Sequence, residues 1–300
     1  MLDAPRPPIS VVVPTRNRAD ALARCLERVR PQLREDDELL VVDSASTDGA
    51  TASVAAAAGA RVVRAERPGS SLARNIGWRS ARHELVAFTD DDVHVLPGWL
   101  EAITRGLLRD GTWFVTGWIG VAPEQAHVPE PNPILLRPDP LVLDRNAAGA
   151  LGATANCGFR RHALEAVGGF DEQIGPGTWY AAGEDQELFD RLVAAGMTGF
   201  YDPDARVYHD QWRTRRDALR LHWRYGKGMG VRLALLRPLD RVRWRRVVRE
   251  ALWDDCTVGM WKALLAGFQT GVVFAMLRLA GTFVGYVAAR SGVVPAGRRS

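Results

Sequence analysis

Along the first half of the chain, short apolar runs alternate with stretches whose apolar residues recur every three or four positions. Ile9 to Val13 is a largely apolar run closed by Pro14, and Thr15-Arg16-Asn17 follows as a polar turn. Runs of this length rich in β-branched residues predict buried strands. Leu22, Leu26 and Val29 then share one face of a predicted helix that Pro31 stops. Glu38 to Val42 predicts a second strand that carries Asp43 to its end. Ser44 to Gly49 is turn-forming, with Ser46 the expected N-cap of an alanine-rich helix running to Gly59. Arg61 to Ala65 and Leu85 to Phe88 predict strands three and four. A helix is expected from Pro97 to about Leu108, because proline is favoured at a helix start. Trp113 to Trp118 is the fifth strand. Such alternation predicts parallel pairing, right-handed crossovers and ligands at the carboxyl edge of the sheet.

Beyond the fifth strand the pattern loosens. Val121 to Asn146 carries six prolines and little periodicity. A loop of that length suits a lid or binding loop, and equally a surface excursion. Gly149 to Gly158 is rich in small residues, which permits close approach of a ligand or another backbone. A helix over Arg161 to Val167 is expected to end at Gly168-Gly169. Leu188, Leu192 and Val193 mark the apolar face of a further helix that Gly196 stops, with Glu184 and Asp185 at its N-terminus. Arg206 to His209 predicts a short strand.

Composition narrows the class. The 300 residues are 47% hydrophobic and 25% charged, ordinary for a globular protein with one large α/β domain and an appendage. Net charge is only +4, but its distribution is uneven. Thirteen Arg and one Lys face three Asp between Arg206 and Arg249, a local excess of +11 (14 − 3). Cys25, Cys157 and Cys256 are far apart, which argues against a disulfide framework or zinc site and fits a reducing compartment. The opening MLDAPRPPIS has no apolar core, so no signal peptide is expected.

The densest chemistry follows strand four. Asp90, Asp91 and Asp92 repel one another, so something positive must offset them. A divalent cation that also takes phosphate oxygens is one answer, and a solvated acidic turn is the other. Arg67 and Arg74 flank a small-residue loop entering a helix, which makes either a phosphate cradle or a solvated helix start. Glu184 and Asp185 suit helix capping as well as chemistry. The helix N-terminus should lower the pKa of Asp185. His209 at a strand end can be a metal ligand.

Six segments in order resemble the family-2 glycosyltransferases of the GT-A fold. They are VVVPTRNR (11–18), VVDSASTDG (41–49), SLARNIG (71–77), FTDDDV (88–93), ATANCGFRR with VGGFDE (153–172) and AGEDQELFDRL (182–192). The resemblance implies a mostly parallel α/β sheet flanked by helices, with a nucleotide-sugar half at 9–118 and an acceptor half at 119–210. Residues 211–300 would form a helical C-terminal appendage. It implies an inverting transferase that uses Mn²⁺ or Mg²⁺ and a nucleotide-diphosphate sugar, a UDP-sugar being favoured. Donor contacts are expected from Pro14, Thr15, Arg16, Asp43, Arg74, Asp90, Asp91, Asn156 and Glu184. Asp92, Asp90 and His209 are the expected metal ligands, and Asp185 the general base. The acceptor would be a hydroxyl of a glycan, a lipid-linked molecule or a small molecule.

Rivals fit less well. A haloacid-dehalogenase-type phosphatase wants Thr or Val where His94 stands, and a sugar nucleotidyltransferase wants a Gly-rich basic loop where PTRNR stands. A non-catalytic membrane scaffold would not need Asp90, Asp92 and Asp185 together. The basic, aromatic segment from Arg206 suits an anionic membrane face, and by composition alone nucleic acid too; nucleic acid is not expected as a partner. Leu264 to Ala289 is long and apolar, but Gln269 and Arg278 interrupt it. Helices lying on the cytoplasmic leaflet are the favoured reading, over a single span or a soluble, oligomer-forming appendage. Gly267/Gly271 and Gly281/Gly285 have the spacing of close helix packing.

Overall fold

The early apolar runs become β1 (Ile9–Thr15), β2 (Glu38–Asp43), β3 (Arg61–Arg64) and β4 (Leu85–Thr89) in the computed structural model, which describes residues 6–122, 125, 135–210, 215–251 and 269–292. Further strands are β5 (Val93–Val95), β6 (Thr112–Gly120), β7 (Leu141–Leu143), β8 (Asn156–Arg160) and β9 (Thr198–His209). The helices are α1 (Ala19–Val29), α2 (Thr51–Ala57), α3 (Ser70–Ser80), α4 (Trp99–Leu107), α5 (Arg161–Val167), α6 (Glu184–Ala194), α7 (Arg215–Leu239), α8 (Arg241–Arg249) and α9 (Gln269–Ser291).

All strands join one sheet in the order β3-β2-β1-β4-β8-β6-β9-β5, with β7 added on β9. The β3-β2-β1-β4 half is parallel throughout, as its strand-helix alternation requires. The other half is mixed, because β8 lies antiparallel between β4 and β6. Both faces are covered. Val11 and Val13 pack towards α1 and α4 through Leu22, Leu26 and Ile103, while Val12 turns to α3 and α6 through Trp78, Leu188 and Phe189. Burial of alternate residues on opposite faces is why these strands read as continuous apolar runs.

Several boundaries move. Of the small-residue stretch Gly149 to Gly158, Asn156 to Gly158 begin β8, where small side chains let it slot between β4 and β6. The strand expected at Arg206 starts at Thr198; Gly199 and Pro203 mask the pattern, and pairing with β6 shifts register after Gly117. Ser46 does not cap α2. The Asp48 carboxylate accepts from the Ala50 and Thr51 amides instead, and Ser46 Oγ accepts from the Asn17 amide at 2.9 Å. Of the proline-rich stretch, residues 123–124 and 126–134 lie outside the described residues, as do Trp212, Cys256 and Gly267.

The C-terminal helices are fastened to the sheet domain rather than appended to it. Asp190 on α6 accepts from Arg232 Nε at 2.6 Å and Arg243 Nε at 2.6 Å, all three side chains being buried. Part of the basic excess is therefore internal counter-charge, not membrane-facing surface. α7 and α9 run parallel, since Trp223 meets Gly281 and Lys227 meets Gly285. A Cβ at Gly285 would stand 2.3 Å from the Lys227 carbonyl oxygen, so only glycine permits this approach. The Gly281/Gly285 spacing is thus satisfied within the chain.

Candidate active site

The carboxyl ends of β1, β2 and β4 converge because parallel strands entering from one side end on the same edge. Thr15 ends β1 in register with Asp43, the last residue of β2. β4 stops at Thr89, and the turn Asp90–Asp92 leads into β5, whose antiparallel partner is the end of β9. That pairing sets His209 opposite Val93 and next to the triplet.

Two arginines offset the three carboxylates. Arg18, at the start of α1, donates from Nη1 to Asp91 Oδ1 at 3.0 Å and to Asp92 Oδ2 at 2.9 Å. Arg74 donates from Nη2 to Asp90 Oδ1 at 2.7 Å and from Nη1 to Glu184 Oε1 at 3.4 Å. The positive charge anticipated from the triplet alone is in part supplied by the protein itself. Burial and the adjacent Asp92 push Asp91 up to about 6, against the opposing pull of Arg18 and Thr15. Thr15 Oγ1 donates to Asp91 Oδ2 at 2.8 Å, so Asp91 is anchored inward. Arg74 is buried and stays cationic; burial works against its charge, and Asp90, Asp185 and Glu184 more than offset it. Its Nε has no hydrogen-bond partner.

Asp185 sits in the first turn of α6, after Gly183 in the left-handed region. Its Oδ2 accepts from the Thr154 amide at 3.1 Å and its Oδ1 from Thr154 Oγ1 at 3.0 Å. No side chain caps α6 at Gly183, so the capping account of Glu184 and Asp185 does not describe their contacts. The pKa of Asp185 is raised, not lowered as the helix end alone suggests. Burial is the main cause, and it outweighs Arg74. Glu184 is likewise raised by burial and by Asp185, and it is buried.

The remaining expected residues divide. Asp43 accepts from the Ser46 amide at 2.8 Å and pairs with Arg64, so both its oxygens are engaged. Pro14 is half-buried beside Thr15, and Arg16 is exposed on the turn that follows. Asn156 is corrected: it is fully buried, donating to the Trp118 and Ala205 carbonyls at 2.9 and 2.7 Å and accepting from Trp99 at 2.8 Å. It ties three strands to α4 and has no face for a donor sugar. Sequence reading missed Arg18, Arg64 and Thr154. Arg18 was findable, for it follows β1 directly, and a triplet of anions on the neighbouring strand end needs a cation.

A divalent ion suits part of this set. His209 Nε2 lies 3.7 Å from Asp92 Oδ1, too long for a hydrogen bond. Two donors on one octahedral ion with bonds of about 2.1 Å stand about 3.0 Å (cis) or about 4.2 Å (trans) apart; the pair lies between these values and would have to close by a few tenths of an ångström to share an ion in cis. Among the described residues no group of three His, Cys, Asp or Glu side chains is gathered for a metal. Two protein ligands with waters and phosphate oxygens are a common arrangement for Mg²⁺. A cleft of about 660 Å³ opens beside Asp92, lined by Asn17, Arg18, Arg24, Asp48 and Asp210 among others.

Comparison with known proteins gives this geometry its setting. The family model for glycosyl transferase family 2 matches residues 10–168. The pre-mycofactocin glycosyltransferase of Mycobacterium tuberculosis H37Rv is 31% identical over 265 residues, covering 79% of this chain. This chain spans about half, 52%, of that relative's length. Glycosyltransferase AglE of Haloferax volcanii is 28% identical over 262 residues, covering 82% of this chain and 80% of AglE. Among solved structures, the mannosyltransferase PcManGT from Pyrobaculum calidifontis, in complex with GDP-Man and Mn²⁺, superposes with a TM-score of 0.67 at 18% identity, over 95% of this chain and 87% of its own. Staphylococcus aureus TarS 1-349 in complex with UDP-GlcNAc does so with a TM-score of 0.58 at 14% identity, over 95% and 92%. Likeness at such identity speaks for the GT-A fold. Six ordered motifs, the shared sheet and the matched family model lead to one conclusion: the chain belongs to glycosyl transferase family 2.

Proposed function

We propose that the protein is an inverting glycosyltransferase that moves a sugar from a nucleoside-diphosphate sugar to a hydroxyl acceptor. The observation that carries this is Arg74, which bonds Asp90 after β4 and Glu184 on α6 and so joins two distant acidic motifs into one site. Thr15, Asp43 and the Arg74 guanidinium line the side where the nucleotide would lie. Asp185 acts as general base. Its raised pKa suits it to take the proton of an acceptor hydroxyl, and Thr154 holds it in place while it does so. The acceptor oxygen bonds to the anomeric carbon from the face opposite the diphosphate. The bond from that carbon to the phosphate oxygen breaks, and the nucleoside diphosphate leaves with its electron pair. Asp92 and His209 would hold a divalent ion, Mn²⁺ or Mg²⁺, which supplies Lewis-acid stabilisation of the leaving diphosphate when bound. Arg74 adds fixed positive charge on the same side.

The test is a panel of UDP- and GDP-sugars incubated with the full chain, Mn²⁺ and candidate hydroxyl acceptors, with nucleoside diphosphate release as readout. Turnover with inverted anomeric configuration, read by proton NMR, is expected. No release from any donor would leave the scaffold alternative standing.

Peripheral contact with an anionic membrane forms part of this reading. On α9, Val273, Met276, Phe283 and Val287 form an exposed apolar stripe at helical spacing, next to the basic α7. The segment Gly271–Ser291 has a mean hydropathy of 1.8, enough by length and composition to cross a bilayer. Arg278, whose Nε is 2.9 Å from His222 Nδ1, favours a surface position over a span. Anionic vesicles should co-sediment the full chain, less so as salt rises. Equal recovery in the supernatant with and without vesicles would refute the contact.

A further inference from the structure

Asp185 and Gln186 are neighbours in the first turn of α6, and between them they hold one short segment. Asp185 accepts from the amide and the hydroxyl of Thr154. Gln186 Oε1 accepts from the Leu151 amide at 3.2 Å, and Gln186 Nε2 donates to the Gly152 carbonyl at 2.5 Å. All four side-chain polar atoms of the pair are thus engaged by residues 151–154. The sheet seats the same segment from beneath. Thr116 Oγ1 on β6 donates to the Leu151 carbonyl at 2.8 Å, and a Cβ at Gly152 would stand 2.2 Å from Thr116 Cγ2. The residues just before are held by another helix, α8. Arg243 Nη1 donates to the Ala147 carbonyl at 3.1 Å, and the Gly149 amide donates to Glu250 Oε2 at 3.1 Å. The strip is gripped at its far end by α8 and next to Asp185 by α6. Both donors of Thr154 favour the ionised form of Asp185. Arg74, Asp90, Glu184 and the Cys157 thiol also face that carboxylate, and none of them bonds Gln186.

We propose that Gln186 is a positioning residue for the general base, holding Leu151 and Gly152 so that Thr154 stays on both oxygens of Asp185. This rests on the reading of Asp185 as the base. Gln186 makes no bond to Thr154 itself, so its effect on Asp185 passes through the segment. Without the grip of Gln186, residues 151–154 keep only the tie to Thr116 and the bonds to Asp185 that are to be fixed. A base displaced by a fraction of an ångström, or turned from the acceptor hydroxyl, loses much of its value.

The experiment follows nucleoside diphosphate release by the full chain as a function of pH, with whichever UDP- or GDP-sugar turns over. Gln186→Met keeps the length of the side chain and removes both hydrogen bonds. It should lower kcat about 10- to 100-fold with the donor KM unchanged. The acid limb of kcat/KM, which reports the ionisation of the free base, should move to higher pH, because the donors that favour the carboxylate are loosened. Thr154→Val should act in the same direction and at least as strongly. Adding Gln186→Met to it should cost no more than about a further twofold, since the two lie on one path. Glu250→Leu, which frees Gly149 at the far end, should leave the limb in place. An acid limb unmoved in Gln186→Met, losses that multiply in the double variant, or an equal shift in Glu250→Leu would each overturn the proposal and leave Gln186 as a structural tie. Should Gln186→Met not fold, Gln186→Asn, too short to reach both partners, takes its place. If no donor turns over, the transferase reading itself fails. The tie is then read by carbon-13 NMR titration of the Asp185 carboxyl, assigned with Asp185→Asn. Its midpoint should rise in Gln186→Met, and an unmoved midpoint overturns the idea.

Discussion

Two arginine–carboxylate networks meet α6, one at its first turn and one at Asp190, and they differ in exposure and charge balance. At the N-terminal end, Asp90, Asp91, Asp92, Glu184 and Asp185 face Arg18 and Arg74, so negative charge is in excess and the set opens on a cleft. Further along the same helix, Asp190 faces Arg232 and Arg243, and all three are sealed. Excess negative charge at an open edge can take up a cation and tune carboxylate pKa values. A sealed cluster, here one carboxylate between two arginines, has no opening for a ligand and holds elements together. The lesson is that ion pairs in this protein are read by exposure and balance, not by their number.

The contrast predicts different failures. Asp185→Asn should lower kcat by about 10²–10⁴-fold while donor affinity and melting temperature hold. Survival of transfer to within about tenfold would make Asp185 a mere tie to Thr154. Asp190→Ala should do the reverse, costing about 3–5 kcal/mol of stability in urea unfolding because two buried arginines lose their partner. A loss below about 1 kcal/mol would show the closed network to be slack. Asp92→Ala should weaken nucleoside diphosphate binding about 100-fold in the presence of Mn²⁺ and leave metal-free binding alone, with apo stability held or slightly raised as repulsion on Asp91 is relieved. Isothermal titration with and without Mn²⁺ checks this, and equal affinities in both proteins would remove Asp92 from the metal site.

The smallest effect belongs to the helix pair. Burial, with Arg278 adding to it, lowers His222 to about 4, and its ring stacks 4.1 Å from Phe274. The unfolded chain takes up this proton below its ordinary value near 6.5, whereas the folded one resists until about 4. Stability from His222 is therefore full above pH 6.5 and is lost as pH falls towards 4, by about 1–2 kcal/mol after allowing for its partial exposure. His222→Gln should flatten the urea midpoint between pH 7 and pH 5. An unchanged slope would mean another group carries the acid sensitivity.

The parallel half of the sheet was far more legible than the mixed half. Its strands are buried on both faces, so Ile9 to Val13 and Leu85 to Phe88 announce themselves as apolar runs, and Asp43 and Asp90 fall at strand ends by position alone. The mixed half hides its strands. β8 is written in Asn, Cys and Gly, and β9 carries Gly199 and Pro203 within it, so neither has a readable period. For the candidate site, Asp90, Asp91, Asp92 and Asp185 were visible as residue types in known motifs. The anchoring of Asp185 by Thr154 was not, because the two are 31 residues apart and meet only through the packing of α6 on the sheet. The misreading of Asn156 has the same origin: a polar residue among glycines looks available until its three partners are seen.

The sequence by itself determined the strand-helix alternation of the first half, the carboxyl-edge position of the acidic motifs and the family, since each depends on local period or on the order of short motifs. Tertiary structure alone decided which charges are balanced and which are in excess. Pairing of Arg18 with Asp91 and Asp92, of Arg74 with Glu184, and of Arg232 and Arg243 with Asp190 spans separations that no local rule covers. It also decided that burial, not the helix end, governs Asp185, because desolvation depends on everything packed around a carboxylate and not on its neighbours in the chain.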